Sequence, residues 1–350
     1  MRKIRTAQIP ESPKALIFET GFIHHMILFL ILGIFLTAIF LMGYVLWGPF
    51  TIEESEEMDI YHNPYDITLL GDSPKGRAIK FGQQLFDSTP IFLGPESPAP
   101  YAGNRLSCKN CHLSSGTKPF AAPLIGIVQR FPQFSNRENK LGSLQERING
   151  CMLRSMNGKA LPHDSKEMGA FMAYLAWLGR YAPDHGKIPG QGFVSIQLPD
   201  RPVDLVQGKG IFERQCAVCH GADGQGKMGP DGQLYIYPPL WGGDSYNNGA
   251  GMGRTITAAN FIKGNMPLGA TFRDPALSDG EAYDVAGFIN QQPRPRKRDL
   301  ELDYADLRKK PVSSPYGPYA DPFSRSQHQL GPFPPLMEYY KNQYRLIKNQ

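Results

Sequence analysis

The 350-residue sequence has few cysteines, only a small excess of positive charge and weak strand signals throughout. Five cysteines are an awkward number for a disulfide framework. The net charge of +5 comes from basic residues spread along the chain. That spread excludes a concentrated basic face and predicts no nucleic-acid partner. The weak strand patterning favours a mainly α fold, and the length allows two domains.

The one long hydrophobic run, Met26–Trp47, reads "MILFLILGIFLTAIFLMGYVLW". As a helix its 22 residues span about 33 Å, enough to cross the hydrocarbon core of a bilayer. Basic residues precede it and acidic residues follow it, so the positive-inside rule places the preceding residues in the cytoplasm and the rest outside. A cleaved signal peptide is the alternative, but the run is long and no small-x-small site follows it. We therefore predict a single-pass anchor in the inner (cytoplasmic) membrane, with the remaining chain on the periplasmic side.

Four of the five cysteines form two C-x-x-C-H motifs, Cys108–His112 and Cys216–His220. Two thiols at this spacing add to the vinyl groups of haem, and the adjacent histidine becomes the proximal iron ligand. A zinc site would need a second pair of ligands for each motif, and a redox dithiol would not need the histidine. The sequence thus predicts two covalently bound c-type haems, attached by Cys108, Cys111, Cys216 and Cys219, with His112 and His220 on the irons.

Each motif follows a helical pattern and precedes a Gly/Pro-rich loop and a closing helix, which is the order of a class I cytochrome c-like domain. We predict a mainly α chain in which an N-terminal transmembrane helix is followed by two such domains and an extended C-terminal tail. The predicted segments are a cytoplasmic N-terminus (1–25), an anchor (26–48), a linker (49–74), domain 1 (75–185), a linker (186–202), domain 2 (203–292) and a Pro/Tyr-rich extension (293–350). The extension is too aromatic for ordinary disorder. We expect it to pack along a protein partner or along its own haem domains.

For the second haem, the favoured distal ligand is Met266, 46 residues after His220 in the loop "GNMPLG". Met228 is the alternative, although it lies close to the attachment motif. A thioether opposite histidine raises the reduction potential and favours electron transfer.

For the first haem, a comparable distance of 39 residues after His112 leads to Cys151. Met152 and Met156 are the alternatives. On a helix, however, Arg147, Arg154 and Ser155 share the face of Cys151. Nearby cations lower the pKa of a thiol and hold it as thiolate. Cys151 is therefore predicted to be a functional thiolate.

Several stretches resemble the dihaem thiosulfate dehydrogenases, relatives of the cytochrome subunits of bacterial sulfur oxidation. They are "SCKNCHLSSGTKPFAAPLIGI", "RFPQF", "ERINGCMLRSMNGKALP", "CAVCHGADGQGKMGPDG" and "NMPLG", within roughly residues 75–292. The resemblance implies His112 and Cys151 on an active-site haem, and His220 and Met266 on a haem that passes electrons out. It also implies that two thiosulfates are joined into tetrathionate, or the reverse. Some members have a lysine where this chain has Asn265, and the anchor and the extension also depart from the soluble enzymes.

Thiosulfate is a dianion, so its pocket needs several fixed cations, and guanidinium groups suit sulfonate oxygens. The candidates around Cys151 are Arg137, Lys140, Arg147, Arg154 and Lys159, and Ser155 is a candidate hydrogen-bond donor. We expect about half of these cations to be only solvated surface charges. The Cys151 sulfur would bond the outer sulfur of one thiosulfate, and a second thiosulfate would then attack, as in thiol–disulfide exchange.

Two functions fit this pattern. The first is an enzyme that exchanges electrons with a soluble cytochrome or a membrane complex. The second is a non-catalytic electron-transfer subunit of a membrane respiratory or photosynthetic complex, which the anchor and the aromatic tail favour. A low-potential His/Cys haem suits an ordinary relay poorly, so the enzyme is favoured.

Overall fold

The computed structural model describes residues 13–47 and 59–349, with side chains described for 25–42 and 59–349. Helix α1 (Pro13–Trp47) contains the apolar window His25–Met42, with a mean hydropathy of 2.6 and every side chain exposed. By length and composition it could cross a membrane. Most of the charges predicted to orient it, at residues 2–5 and 53–57, lie outside the described residues. The chain divides into two units, Met1–Glu56 and Glu57–Gln350, and the second contains both haem motifs.

The first part of the large unit is helical with one small hairpin. Its elements are α2 (Pro74–Asp87), α3 (Thr89–Leu93), β1 (Gln133–Ser135), β2 (Lys140–Gly142), α4 (Leu144–Arg154) and α5 (Lys166–Leu178), with a helical turn at Leu113–Gly116. Ser73 caps α2 through its side chain, and Pro74 occupies the first turn, both typical of a helix start. Helices α2 and α5 pack so closely that a Cβ at Gly82 would overlap the carbonyl of Ala170. A buried core that includes Phe86 and Tyr174 therefore forms beside the first haem motif.

The second part of the large unit repeats this arrangement. Its elements are α6 (Leu205–Ile211), a π-helical segment (Phe212–Cys216), α7 (Ala217–His220), β3 (Lys227–Met228), β4 (Tyr235–Tyr237), α8 (Thr255–Asn265) and α9 (Asp279–Gln291). Helix α9 packs against both α6 and α8 and buries Tyr283 and Val285. Among the described residues the strands form only two antiparallel hairpins. The prediction of a mainly helical fold is confirmed.

The two parts contact each other directly rather than through a linker alone. Met252 packs against both hydrophobic cores. The Asn104 amide donates to the Ser245 carbonyl at 3.1 Å, and the Asn247 amide donates to the Leu153 carbonyl at 3.0 Å. Because these amides satisfy backbone carbonyls of the other part, they fix where the second part meets α4.

The C-terminal extension is folded, whereas the sequence predicted an extended tail. It contains α10 (Arg325–Leu330) and α11 (Pro334–Tyr344), and Phe333, Leu336 and Tyr340 are buried in the second core. Burial of such aromatic and aliphatic side chains is the main favourable term in folding. Of the two expected locations, the described residues of the extension occupy the one along the haem domains.

Candidate functional site

The first C-x-x-C-H motif lies beside an apolar cavity of about 250 Å³. Cys108, Cys111 and His112 line it together with apolar side chains that include Phe86, Leu124, Met152, Met156 and Phe171. No disulfide joins any two of the five cysteines. The Nδ1 atom of His112 is hydrogen-bonded to the Ala122 carbonyl at 2.7 Å, which leaves Nε2 available as a metal ligand. The thiols, the imidazole and the apolar walls fit a covalently held haem.

One basic residue in this cavity supports the same fit. Arg130 lines the cavity, and its buried Nε atom has no hydrogen-bond partner among the described residues. Burial lowers the pKa of Arg130, because the charged form is desolvated. A guanidinium group in this position suits a haem propionate. Arg130 is the first residue of the stretch "RFPQF", but nothing in that stretch indicates that its side chain lines the cavity.

The second C-x-x-C-H motif has the same local geometry. The Nδ1 atom of His220 is hydrogen-bonded to the Pro238 carbonyl at 2.7 Å, and burial lowers the pKa of His220, which favours the neutral, ligating form. Met266 follows α8 and packs against the same core as Cys216. Met228, the alternative ligand, lies in β3. His220 with Met266 stays a prediction for the second haem.

Cys151 is placed by the helix that carries it. Helix α4 begins at a capping box in which Ser143 Oγ accepts from the Glu146 N–H at 3.2 Å and Glu146 Oε2 accepts from the Ser143 N–H at 2.7 Å. Two turns later, Cys151 is half-buried and lines the same cavity as His112. Met152 and Met156, the alternative ligands, also line it and are nearly fully buried.

The helical spacing brings Arg147 onto the Cys151 thiol. Its Nη1 atom donates to Cys151 Sγ at 3.0 Å. Burial acts to raise the pKa of Cys151, but Arg147 and His112 outweigh it and lower the pKa to about 6. A positive neighbour stabilises the thiolate more than the thiol. At neutral pH the Cys151 side chain is therefore mostly a thiolate.

A larger cavity of about 960 Å³, with several charged side chains in its lining, opens from Cys151, His112 and Cys111. Of the predicted anion-binding residues, it is lined by Arg137, Lys140, Arg147, Arg154 and Ser155. Lys159 does not line it, and its ammonium group lies over the Tyr101 ring at 5.9 Å. A role of Lys159 in binding the substrate stays a prediction that this position does not support.

Most of these cations already have carboxylate partners. Arg154 is buried and pairs with Asp303 at 2.6 Å, and Arg137 lies 3.6 Å from the other oxygen of the same carboxylate. Lys140 pairs with Glu146 at 2.6 Å. Among the predicted cations that line the cavity, only Arg147 has no carboxylate partner in the described part of the chain. Two carboxylates therefore face four predicted cations, so the predicted cluster of positive charges is only partly neutralised.

Residues from outside domain 1 complete the cavity. Arg254 comes from the second part of the unit, and Tyr304 and Lys309 come from the extension. The Tyr304 N–H donates to the Arg137 carbonyl at 2.8 Å, and Lys309 donates to the Asn139 side chain at 2.9 Å. No local pattern in the sequence indicates these contacts, because the paired residues are more than a hundred positions apart.

Comparison with known proteins agrees with this geometry. The family model "SoxA/TsdA, cytochrome c domain" matches residues 99–183, and the model "Cytochrome c" matches residues 205–293. The chain therefore contains two cytochrome c domains, which imply two covalent c-type haems.

Full-length relatives give the same result. The chain is 44% identical over 231 residues to a thiosulfate dehydrogenase of Allochromatium vinosum, covering 65% of this chain and 82% of that protein. It is 40% identical to one of Psychrobacter arcticus, covering 68% and 70%. The solved structure of a thiosulfate dehydrogenase from Marichromatium purpuratum matches with a TM-score of 0.61 at 34% identity, covering 66% of this chain and about half (49%) of that chain.

Proposed function

The chain belongs to the thiosulfate dehydrogenase family, and on that premise we propose that it joins two thiosulfate ions into tetrathionate beside Cys151. The observation that carries this proposal is the position of the Cys151 sulfur. It lies 3.0 Å from the Arg147 guanidinium, interacts with His112 and opens onto a cavity lined by cations. A structural cysteine needs neither a cationic neighbour nor a path to solvent.

The proposed iron ligands are His112 and Cys151 for the first haem, and His220 and Met266 for the second. When bound, the two haems supply acceptors for the two electrons that the reaction releases. The hydrogen bonds to the Ala122 and Pro238 carbonyls hold each imidazole in one orientation and one tautomer.

The chemistry at sulfur follows from the thiolate. The Cys151 sulfur bonds the outer sulfur of the first thiosulfate, and formation of this S–S bond releases two electrons. A second thiosulfate then attacks that outer sulfur, the bond to Cys151 breaks, and Cys151 leaves as thiolate. The products are one tetrathionate and the starting side chain, so two thiosulfates and two electrons balance. Arg147 stabilises the thiolate before the first bond forms and after the last bond breaks.

The proposal also covers the cellular location of the protein and its electron partner. A c-type cytochrome is extracytoplasmic, so the apolar helix is a signal or an anchor. We propose the anchor, with both haem domains on the periplasmic face and a soluble cytochrome or a membrane complex as electron partner. Two measurements test this. The mass of the mature protein shows whether the N-terminal residues are retained, and fractionation shows whether the protein stays in washed membranes. A mature chain that begins after residue 48 would contradict it.

The activity is tested on the oxidised holoprotein. On rapid mixing with thiosulfate, we expect the haem absorption to show reduction and one tetrathionate to appear for every two electrons taken up. Reduced protein mixed with tetrathionate tests the opposite direction. Sulfate, which has no outer sulfur to oxidise, is the control anion. If neither reaction changes the haem spectrum, the proposed function fails.

A further inference from the structure

A guanidinium group from the second cytochrome domain faces the Cys151 cavity. Arg254 immediately precedes α8, at the end of the short turn Gly251–Gly253. Its side chain lines the cavity of about 960 Å³ that also contains Cys151 and Arg147. Its Nε atom donates to the Gly251 carbonyl at 3.3 Å. The turn therefore orients the group, and the domain contact around Met252 places it opposite α4.

Arg254 has no carboxylate partner within residues 13–47 and 59–349. Burial lowers the pKa of Arg254, and the guanidinium groups of Arg137 and Arg147 act in the same direction, whereas Tyr304 and Tyr316 oppose the shift. Arg254 is half-buried and differs in its pairing from the buried Arg154, which contacts Asp303 at 2.6 Å. A partly desolvated charge that faces like charges without a counter-ion is unfavourable. Its position is best explained if an anion occupies the space between these groups.

The proposed reaction needs two dianions in this cavity at once. Arg147 lies against the Cys151 sulfur, so it is placed to hold the thiosulfate that bonds that sulfur. Arg137 and Arg154 share the single carboxylate of Asp303. Among the described arginines that line the cavity, only Arg147 and Arg254 have no carboxylate partner. Since Arg147 is assigned to the first thiosulfate, Arg254 is available for a second sulfonate group.

We propose that Arg254 binds the sulfonate group of the second thiosulfate, which is also the sulfonate of tetrathionate farther from Cys151. This inference rests on the proposed function. It makes the substrate site a shared one, in which the first domain supplies the reacting thiol and the second domain supplies a binding residue. A guanidinium can donate two parallel hydrogen bonds to sulfonate oxygens, which an ammonium group cannot do in the same geometry.

The test measures binding of tetrathionate to the oxidised holoprotein by calorimetry, because oxidised protein cannot reduce this ligand. Hydrogen bonds to charged groups contribute about 1.5–3 kcal/mol, so Arg254→Gln should raise the Kd for tetrathionate by about 10-fold or more. Arg254→Lys should recover part of that loss. Arg273→Gln is the matched control, since it removes the same charge from an exposed site of the same domain that lines neither cavity. Its Kd should not change.

The outcomes separate this inference from the proposed function. If the parent protein does not bind tetrathionate, the proposed function fails. If the parent binds it and Arg254→Gln, with two haems per chain, binds it equally well, the inference about Arg254 is wrong. A change in haem potential without a change in Kd would also overturn it, since Arg254 would then neutralise a haem propionate. If Arg254→Gln does not fold, unchanged binding by Arg254→Lys would equally overturn the inference, because that variant loses the fork geometry.

Discussion

The two haem-attachment sites share a local structure and differ in what surrounds it. Both histidines bond a backbone carbonyl through Nδ1 at 2.7 Å. The first site opens onto a cation-lined cavity with a thiol in it. Around the second motif, apolar side chains remain exposed instead: Val218, Ile236 and Leu268. The attachment motif therefore fixes the cofactor, and residues distant in sequence decide whether a site can bind an anion.

The largest effect is expected when the first site receives the ligand type that is proposed for the second site. Cys151→Met should lower the rate of thiosulfate oxidation at least about 1,000-fold, the scale on which loss of a nucleophile acts, because a thioether cannot form the S–S bond. Both haems should remain, as counted by the spectrum of the denatured protein in pyridine. Met156→Leu, a buried change in the same cavity, is the control. Turnover at the parent rate in Cys151→Met would contradict the catalytic role of Cys151.

The second site can be changed in the same way. Met266→Ala should lower the reduction potential of the second haem, because a thioether ligand raises it. We expect kcat to fall about 10-fold while the KM for thiosulfate stays unchanged, since binding occurs at the other site. Redox titration and steady-state kinetics measure both quantities. The same substitution at Met228 distinguishes the two candidate ligands, and a potential that changes only in Met228→Ala would rule out Met266.

The pH dependence of the activity tests whether the charge on Cys151 matters at the first site. The pKa of Cys151 is lowered to about 6, so kcat/KM should be high above that pH and fall as the thiolate is protonated below it. Arg147→Gln removes a positive neighbour, so the fall should move to higher pH. If the pKa of the thiol rises by about one, the thiolate fraction at a pH below both values falls about 10-fold, and activity falls with it. A pH profile that keeps its midpoint in this variant would show that Arg147 does not stabilise the thiolate.

The smallest effect is expected at Lys159. It was predicted from sequence as a substrate residue, but its side chain lies over Tyr101 and outside the cavity. Lys159→Gln should change kcat/KM by less than about 2-fold, as expected for an exposed charge away from the site. A larger loss at constant ionic strength would mean that the cavity extends beyond the residues that line it here.

Local rules account for part of the site. The haem motifs need only their own five residues, and the Arg147 contact with Cys151 follows from i, i+4 spacing on one helix. The same reasoning could not show that Arg154 is neutralised by Asp303. These residues are 149 positions apart, and nothing in either segment specifies the other. The predicted domain boundaries stay predictions, although two cytochrome c domains are present.

The structure of the C-terminal extension also could not be predicted from local sequence. Its irregular proline and tyrosine spacing has no period from which a helix can be predicted, yet α10 and α11 form there and Tyr340 is buried. Their stability comes from packing on the second core rather than from local propensity. The aromatic content indicated that the segment contacts protein, but not which surface it contacts.

The sequence by itself determined the cofactors, the helical class and the cysteine with a cationic neighbour, because each depends on residues within one or two turns of chain. Only the tertiary structure decided which cations of the cavity have a carboxylate partner, and that Arg254 of the second domain lines the cavity without one among the described residues. Charge in a cavity is a sum over everything that faces it, and contacts that close over a hundred residues are set by packing rather than by any local pattern.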